Sequence, residues 1–531
     1  MTLPEVRTPT AAPVATTLRP VWLRRDRVIV AALVVVALAL RVPYLGRSYW
    51  IDESVSLGIA SHRLSQIPTL LRHDGSPPLF YLILHFWIAL FGTSEAATHT
   101  LPLLVSLLAV PAGYWAGCRL FNRPAGIAAA ALLATNPFLN WYSTETRMYT
   151  LMVLLSLVGV TLAWRAFQDR SLVHAAGAVV TYAAMLYTHN WGLYLAGATG
   201  LILLWLAWSQ GDRRLAAWVV AAGAATLALW APWIPSFIFQ AKNTAAPWAA
   251  RPAIGDFFAD PSTALGGTLG FLVVPALAGG VWACRHRSDR RDRFVASVTG
   301  AIALVATVAG FAGAQIQPSW TVRYLAIIVG PYLLAAAGVL AASLPGRRVL
   351  WVVCAALAGW AVIGSLLPNP NGRYAKDNMA ALAAAVAPRM RAGDLVLVTQ
   401  TEQTAVAYRY LPAGLRYVDP TGAVRDPSVV DWRNIVSRLQ HASACRAVAP
   451  AVDSLPVGDL VLEINPARKL GASGSAWSKA VAKQVSADDN LLRRDPALTV
   501  IGIYHPGLSP RPYSPVDGVL FLKTSTARAC G

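Results

Sequence analysis

Charge is scarce in this chain. Asp, Glu, Lys and Arg make up 13% of its 531 residues, about half the ~25% carried by soluble domains. A surface that poor in charge does not suit a soluble protein. Cysteine is scarce too, with five in all, and none stands in a CxxC pair, which argues against zinc ribbons and thioredoxin-type centres. No GxGxxG or Walker loop is present, so nothing points to a nucleotide. No HxH or HExxH spacing marks a dedicated metal site.

Apolar bulk takes the place of charge. Hydrophobic residues reach 56%, with 19 Trp, and many runs extend over about 18 residues, the length that crosses a bilayer. The expected fold class is an α-helical polytopic membrane protein with about eleven spans and a small C-terminal extracytoplasmic α/β domain. The formal charge of +19 does not point to nucleic acid, because the arginines sit in short clusters between apolar runs, the cytoplasmic bias of membrane proteins.

Those clusters set an expected topology. Residues 1–27 read as a disordered, basic cytoplasmic N-terminus. Arg24, Arg25 and Arg27 followed by Val28–Leu40 resemble a signal peptide, and with so many spans behind them they read as an uncleaved anchor. The first span, about 28–46, then delivers Asp52 and Glu53 to the far side. The segment 77–92 opens with two prolines, carries His85 and is short, which fits a juxtamembrane or re-entrant helix. Further spans are expected near 97–117, 125–141, 148–164, 172–188, 191–208, 215–234, 265–284, 294–314, 325–343 and 349–367. The expected membrane domain is 28–367, with a first outer loop at 47–96.

Residues 368–531 differ. Gly393–Gln400 and Asp459–Pro466 look like buried strands, and a helix precedes the first. Cys445 and Cys530 share this region and could pair in an oxidising compartment. Cys118 and Cys284 flank inside clusters, and Cys354 lies in an apolar run.

Polar residues on the outer side concentrate in a few loops. The first holds Asp52, Glu53, His62, Arg63, Arg72, His73 and Asp74, the second Glu145, Arg147 and Tyr149. Later loops carry His189, the stretch Pro232–Ser262 and Arg323–Tyr324. Ionisable groups at a membrane edge are costly unless they line a wet cavity, so their convergence on one side suggests a site. Taken singly, each has a bland reading. Asp52 and Glu53 could be a solvated pair, Glu145 and Arg147 could neutralise each other, and His73 and His189 could be hydrogen-bonded interfacial histidines. The sharper reading makes one carboxylate of the Asp52/Glu53 pair catalytic while its neighbour orders the loop. Adjacent helical residues face different ways. Arg147 could bind a phosphate bidentately.

The Asp–Glu pair after the first span, PPLFY (Pro77–Tyr81), RLF (Arg119–Phe121) and YSTETRMY (Tyr142–Tyr149) together resemble the GT-C superfamily of membrane glycosyltransferases. The likeness is to its protein-O-mannosyltransferase and aminoarabinose-transferase-like branch, particularly the actinobacterial members. It is strongest over about 45–165, weaker beyond, and not visible in the C-terminal region. The resemblance implies a polyprenyl-phosphate sugar donor and a glycan, glycolipid or protein acceptor on the extracytoplasmic face of the plasma membrane. It implies Asp52 as general base with Glu53 as its partner. Arg72, His73, Asp74, Glu145, Arg147, Tyr149, His189 and Arg323 are the candidates for donor-phosphate and substrate contacts, with Arg251 a further cation. No cofactor is implied with certainty, and a divalent metal is left open. Ser76 stands where the aminoarabinose branch has a Lys before its Pro-Pro, so the phosphate-gripping cation is open. Two rival readings are a flippase for a lipid-linked precursor and an envelope-assembly scaffold. The flippase predicts mid-span charges and internal repeats, and neither is evident. The C-terminal domain is expected to help select the acceptor.

Overall fold

The computed structural model describes residues 23–266, 290–343, 376–467, 474–507, 514–528 and 530. The first half is a run of helices, α1 (Arg24–Arg41), α2 (Ile51–Ala60), α3 (Ile67–Asp74), α4 (Leu79–Phe91), α5 (Glu95–Leu120), α6 (Arg123–Thr135) and α7 (Pro137–Tyr142). After these come α8 (Tyr149–Asp169), α9 (Leu172–Leu186), α10 (Gly192–Ser209), α11 (Arg213–Trp230), α12 (Ile234–Asn243) and α13 (Asp256–Leu265), and then the long helices Arg290–Ile316 and Ala326–Ser343. Among the described residues seven stretches are long and apolar enough to cross a membrane, including Arg24–Tyr44, Glu95–Leu120 and Tyr149–Asp169. The expected spans near 265–284 and 349–367 lie outside the described residues, apart from the C-terminal end of α13.

Two expected spans come out shorter. The run at 125–141 breaks because Asn136 caps a new helix, its side chain accepting from the Leu139 N–H at 3.1 Å, with Pro137 at the first helical position. Such an Asn-Pro step starts a helix rather than continuing one. The result is the 13-residue α6 followed by the six-residue α7. The run at 172–188 gives the 15-residue α9. The 77–92 segment forms the 13-residue α4, too short for a full crossing, as expected.

Helix packing uses small residues. A Cβ on Gly117 of α5 would lie 2.7 Å from the Gly126 Cα of α6, so the backbones touch where neither residue has a side chain. At one end of the bundle Asp26 meets Tyr114 and Arg123, Asn122 meets Asp292, and Arg170 meets Asp212. These are the basic segments assigned to one side from the sequence. The polar loops gather at the other end.

The C-terminal region is an α/β domain with strands β1 (Leu395–Val398), β2 (Arg416–Asp419), β3 (Gly422–Ala423), β4 (Leu460–Pro466), β5 (Leu498–Tyr504) and β6 (Val516–Lys523). Their order is β3-β2-β1-β4-β6-β5. β1 pairs in parallel with β2 and β4, and β6 runs antiparallel between β4 and β5. All four residues of β1 are buried, as a central parallel strand requires. β1 and β4 are the two strands read from the sequence, and the helix Met379–Val386 precedes β1 as expected. Cys445 and Cys530 are disulfide-bonded, with Cα atoms 5.7 Å apart.

α2 is wedged between the two regions. Ile51, Val55 and Ile59, four residues apart, join the core of the membrane helices. Leu57 and Tyr49 belong instead to the core of the C-terminal domain, with Met379, Leu382 and Val406.

Candidate active site

Asp52 and Glu53 occupy the first turn of α2 and have opposite fates. Glu53 is fully buried. The Lys376 Nζ donates to both of its oxygens at 2.8 Å, and the Thr146 N–H and His99 Nε2 donate to Oε1 at 2.7 Å. Burial alone would raise its pKa, but the Lys376 ammonium and the His99 ring hold it far down, to about 2. Glu53 is therefore a fixed carboxylate whose lone pairs are spent on the protein.

Asp52 points the other way and is partly open. Its Oδ2 lies 3.6 Å from Arg323 Nη1 and 3.9 Å from Arg147 Nε. Arg147 is held by its Nη1, which donates to Ser56 Oγ and Tyr81 OH at 2.9 Å. Arg323 stacks over Trp248 at 4.7 Å and Trp50 at 5.3 Å from the ring centroids. The Nε of each guanidinium is buried without a hydrogen-bond partner. The site therefore holds spare cationic donors beside one accessible carboxylate.

Asp74 reaches the same cluster. Burial pushes its pKa up to about 6, with the Arg147 charge opposing and Asp52 adding to the rise. His189 lies 4.4 Å from the Tyr324 ring, and its Nδ1 accepts the Trp191 N–H at 3.1 Å. Burial beside Arg147 and Arg323 pushes its pKa down to about 3, so the imidazole is neutral. Tyr149 is buried with an unpartnered hydroxyl, and both Glu145 oxygens are buried without a hydrogen bond. Burial raises the Glu145 pKa to about 7, Glu53 and Asp52 adding to the rise against Lys376 and Arg323.

Seven residues singled out from the sequence thus converge: Asp52, Asp74, Glu145, Arg147, Tyr149, His189 and Arg323. Arg72 and His73 do not join them. Arg72 is exposed over the Phe239 ring at 4.2 Å, and His73 sits near Arg433 and Asp431, its carbonyl accepting from the Trp432 N–H at 3.1 Å. Arg251 is exposed and lines a separate cavity with Gln317 and Pro318. The helical period explains the split, since Arg72, His73 and Asp74 are consecutive on α3 and project in different directions. Lys376, His99, Thr146, Tyr81 and Ser56 were not foreseen. Only tertiary contact links them to Asp52 and Glu53. Among the described residues no group of three or more His, Cys, Asp or Glu side chains is arranged to hold a metal ion.

Residues 75–235 match the family model described as dolichyl-phosphate-mannose-protein mannosyltransferase. The crystal structure of ArnT from Cupriavidus metallidurans in the apo state is similar with a TM-score of 0.60 at 14% identity, covering 96% of this chain and 99% of that one. The chain shares the fold of ArnT over nearly its whole length. The chain is also similar to ArnT from the same organism bound to undecaprenyl phosphate, with a TM-score of 0.58 at 15% identity and coverage of 96% and 99%. The apo Archaeoglobus fulgidus oligosaccharyltransferase follows at 0.51 and 10% identity, covering 88% of this chain and 73% of that one. A comparison with curated protein sequences finds no match. The family match starts at Gly75, past the Asp–Glu pair. The likeness in fold covers 96% of the chain and so includes its C-terminal domain, beyond the segment where the resemblance is legible in sequence.

Proposed function

We propose that the protein transfers a sugar from a polyprenyl-phosphate donor to an acceptor hydroxyl on the extracytoplasmic face of the plasma membrane, with inversion, in cell-envelope synthesis. The carrying observation is the Asp52 carboxylate set between the Arg323 and Arg147 guanidiniums at 3.6 and 3.9 Å, at the end of the bundle away from the basic clusters. A donor phosphate arriving there draws the two guanidiniums onto itself and frees Asp52. Asp52 then takes the acceptor proton, the acceptor oxygen attacks the anomeric carbon, and the bond from that carbon to the phosphate oxygen breaks. The leaving phosphate keeps the electron pair, with Arg147 and Arg323 stabilising its charge. One carboxylate suffices because no water is activated. Glu53 is the structural partner, and Asp74, Tyr149 and His189 line the sugar side.

Three things support the finer reading. Undecaprenyl phosphate is bound in the ArnT structure, which favours a lipid-phosphate donor. The family model's name makes mannose the first sugar to test, with an arabinosyl donor next. The disulfide between Cys445 and Cys530 fits a domain outside the cytoplasm. The test is purified protein with labelled polyprenyl-phosphate mannose and an envelope extract as acceptor. Asp52→Asn should lower kcat by roughly 10²–10⁴-fold in a folded protein. Unimpaired transfer by that variant would remove Asp52 from the mechanism, and no transfer by wild type from any polyprenyl-phosphate sugar would sink the function itself.

A further inference from the structure

We propose that Lys376 is a positioning residue of the transfer site, and that the site is complete only when the C-terminal domain is docked on α2. The proposal rests on the transfer reading, and its test separates the two.

Lys376 is 2% exposed. Its ammonium donates to Glu53 Oε1 and Oε2 at 2.8 Å and to the Thr144 carbonyl at 2.6 Å. Those bonds use all three donors of an ammonium, so Lys376 has none left for a substrate phosphate. What it holds is more telling. Glu53 directly follows Asp52 on α2, and Thr144 lies three residues before Arg147 in the turn between α7 and α8. One buried cation therefore ties together the two backbone segments that carry the opposed charges of the site. Glu53 tightens the knot by accepting from the Thr146 N–H at 2.7 Å on that same turn.

The pair is buried on both sides, so removing either member strands the other charge away from water. The cheapest relief is a movement of α2 or of the turn 143–148, and either misaims Asp52. Other contacts hold the domain to the residues flanking α2 independently. Tyr410 OH accepts the Tyr49 N–H at 2.7 Å, and His62 Nε2 meets Asp426 Oδ2 at 2.8 Å. Docking therefore survives loss of Lys376, while the register of Asp52 against Arg147 does not.

The experiment compares Lys376→Met, Lys376→Arg and Glu53→Gln/Lys376→Met in the full-length protein in lipid nanodiscs. Initial rates with polyprenyl-phosphate mannose are measured well below the melting temperature, together with amide hydrogen exchange over 51–60 and 143–148. Lys376→Met and the double variant should each lose roughly 30–100-fold in kcat, the scale of an ångström-level misplacement. Donor KM should stay within about threefold of wild type, because Lys376 does not touch donor. The two losses should match, since Glu53 and Lys376 act as one unit, and Lys376→Arg should retain more activity than Lys376→Met. Exchange should quicken in both segments and stay unchanged in α8. If Lys376→Met does not fold, the double variant, which leaves no stranded charge, decides the matter. A folded double variant with wild-type kcat overturns the proposal, because Lys376 then only neutralises Glu53. A loss confined to KM overturns it as well. If wild type transfers no polyprenyl-phosphate sugar, the transfer reading fails, and the exchange data still show whether Lys376 holds the two segments.

Discussion

At the scale of single residues, Asp52 and Glu53 show how burial divides two carboxylates of similar chemistry. Glu53 keeps its charge because an ammonium and a histidine surround it. Glu145, equally buried, has no hydrogen-bond partner and is pushed from an ordinary value of 4.5 to about 7. The sign of the consequence follows from linkage. Between those two values the folded chain holds a proton that the unfolded chain has shed, so stability from Glu145 is fully present below the ordinary value and is lost as pH rises towards 7. Glu145→Gln stays neutral throughout, so its melting temperature should fall less than that of wild type between pH 5 and pH 8. A variant whose melting curve tracks wild type across that range would mean Glu145 is already ionised. Asp52 and Arg147 were legible as candidates because ionisable residues are rare at a membrane edge. Arg72 and His73 looked equally promising, and only their direction on α3 set them apart.

Elements decide what single residues cannot. α2 carries apolar residues for two cores, and at Gly58 a Cβ would lie 1.8 Å from the Ser428 carbonyl oxygen of the C-terminal domain. No side chain fits there unless α2 moves or the 426–428 loop moves. Gly58→Val should therefore cost about 1–3 kcal/mol, the usual scale of overpacking, and reduce transfer along with stability. Thermal melting and rates on the same preparation check this, and a variant with wild-type values for both would show that the loop yields freely. The sequence carried no sign of this contact, since the partner lies hundreds of residues away. The break between α6 and α7 was a different case. Asn136-Pro137 is a helix-start signal in plain view, outweighed in the reading by the apolar length of 125–141.

On the scale of the whole molecule, the C-terminal domain is part of the site's framework rather than an appendage. The expectation that it helps select the acceptor is joined by a positional role at the site. It contributes Lys376 to Glu53, and Glu402, also buried, lies near enough for the Asp52 charge to add to the rise in its pKa that burial causes, to about 7. The disulfide closes a separation of 85 residues and ties the chain end to the short helix Ala444–Ala447. Cys530→Ser should cost about 2–4 kcal/mol, the usual contribution of a disulfide closing a long loop, measured by denaturant unfolding of the purified protein. An unchanged midpoint would mean that the sheet holds that end without the bond.

The sequence by itself determined the solvent this protein lives in, the common side of its basic clusters, the two central strands of its C-terminal sheet and the short list from which the site is drawn. These are local or compositional properties, written in runs, periods and caps. Only the tertiary structure decided which of two adjacent carboxylates is free, which cations face it and that a lysine from the distant C-terminal domain holds the other. Burial and ion pairing are set by everything that packs around a group, and the turn of α2 that bears Asp52 and Glu53 does not record what will close over either face.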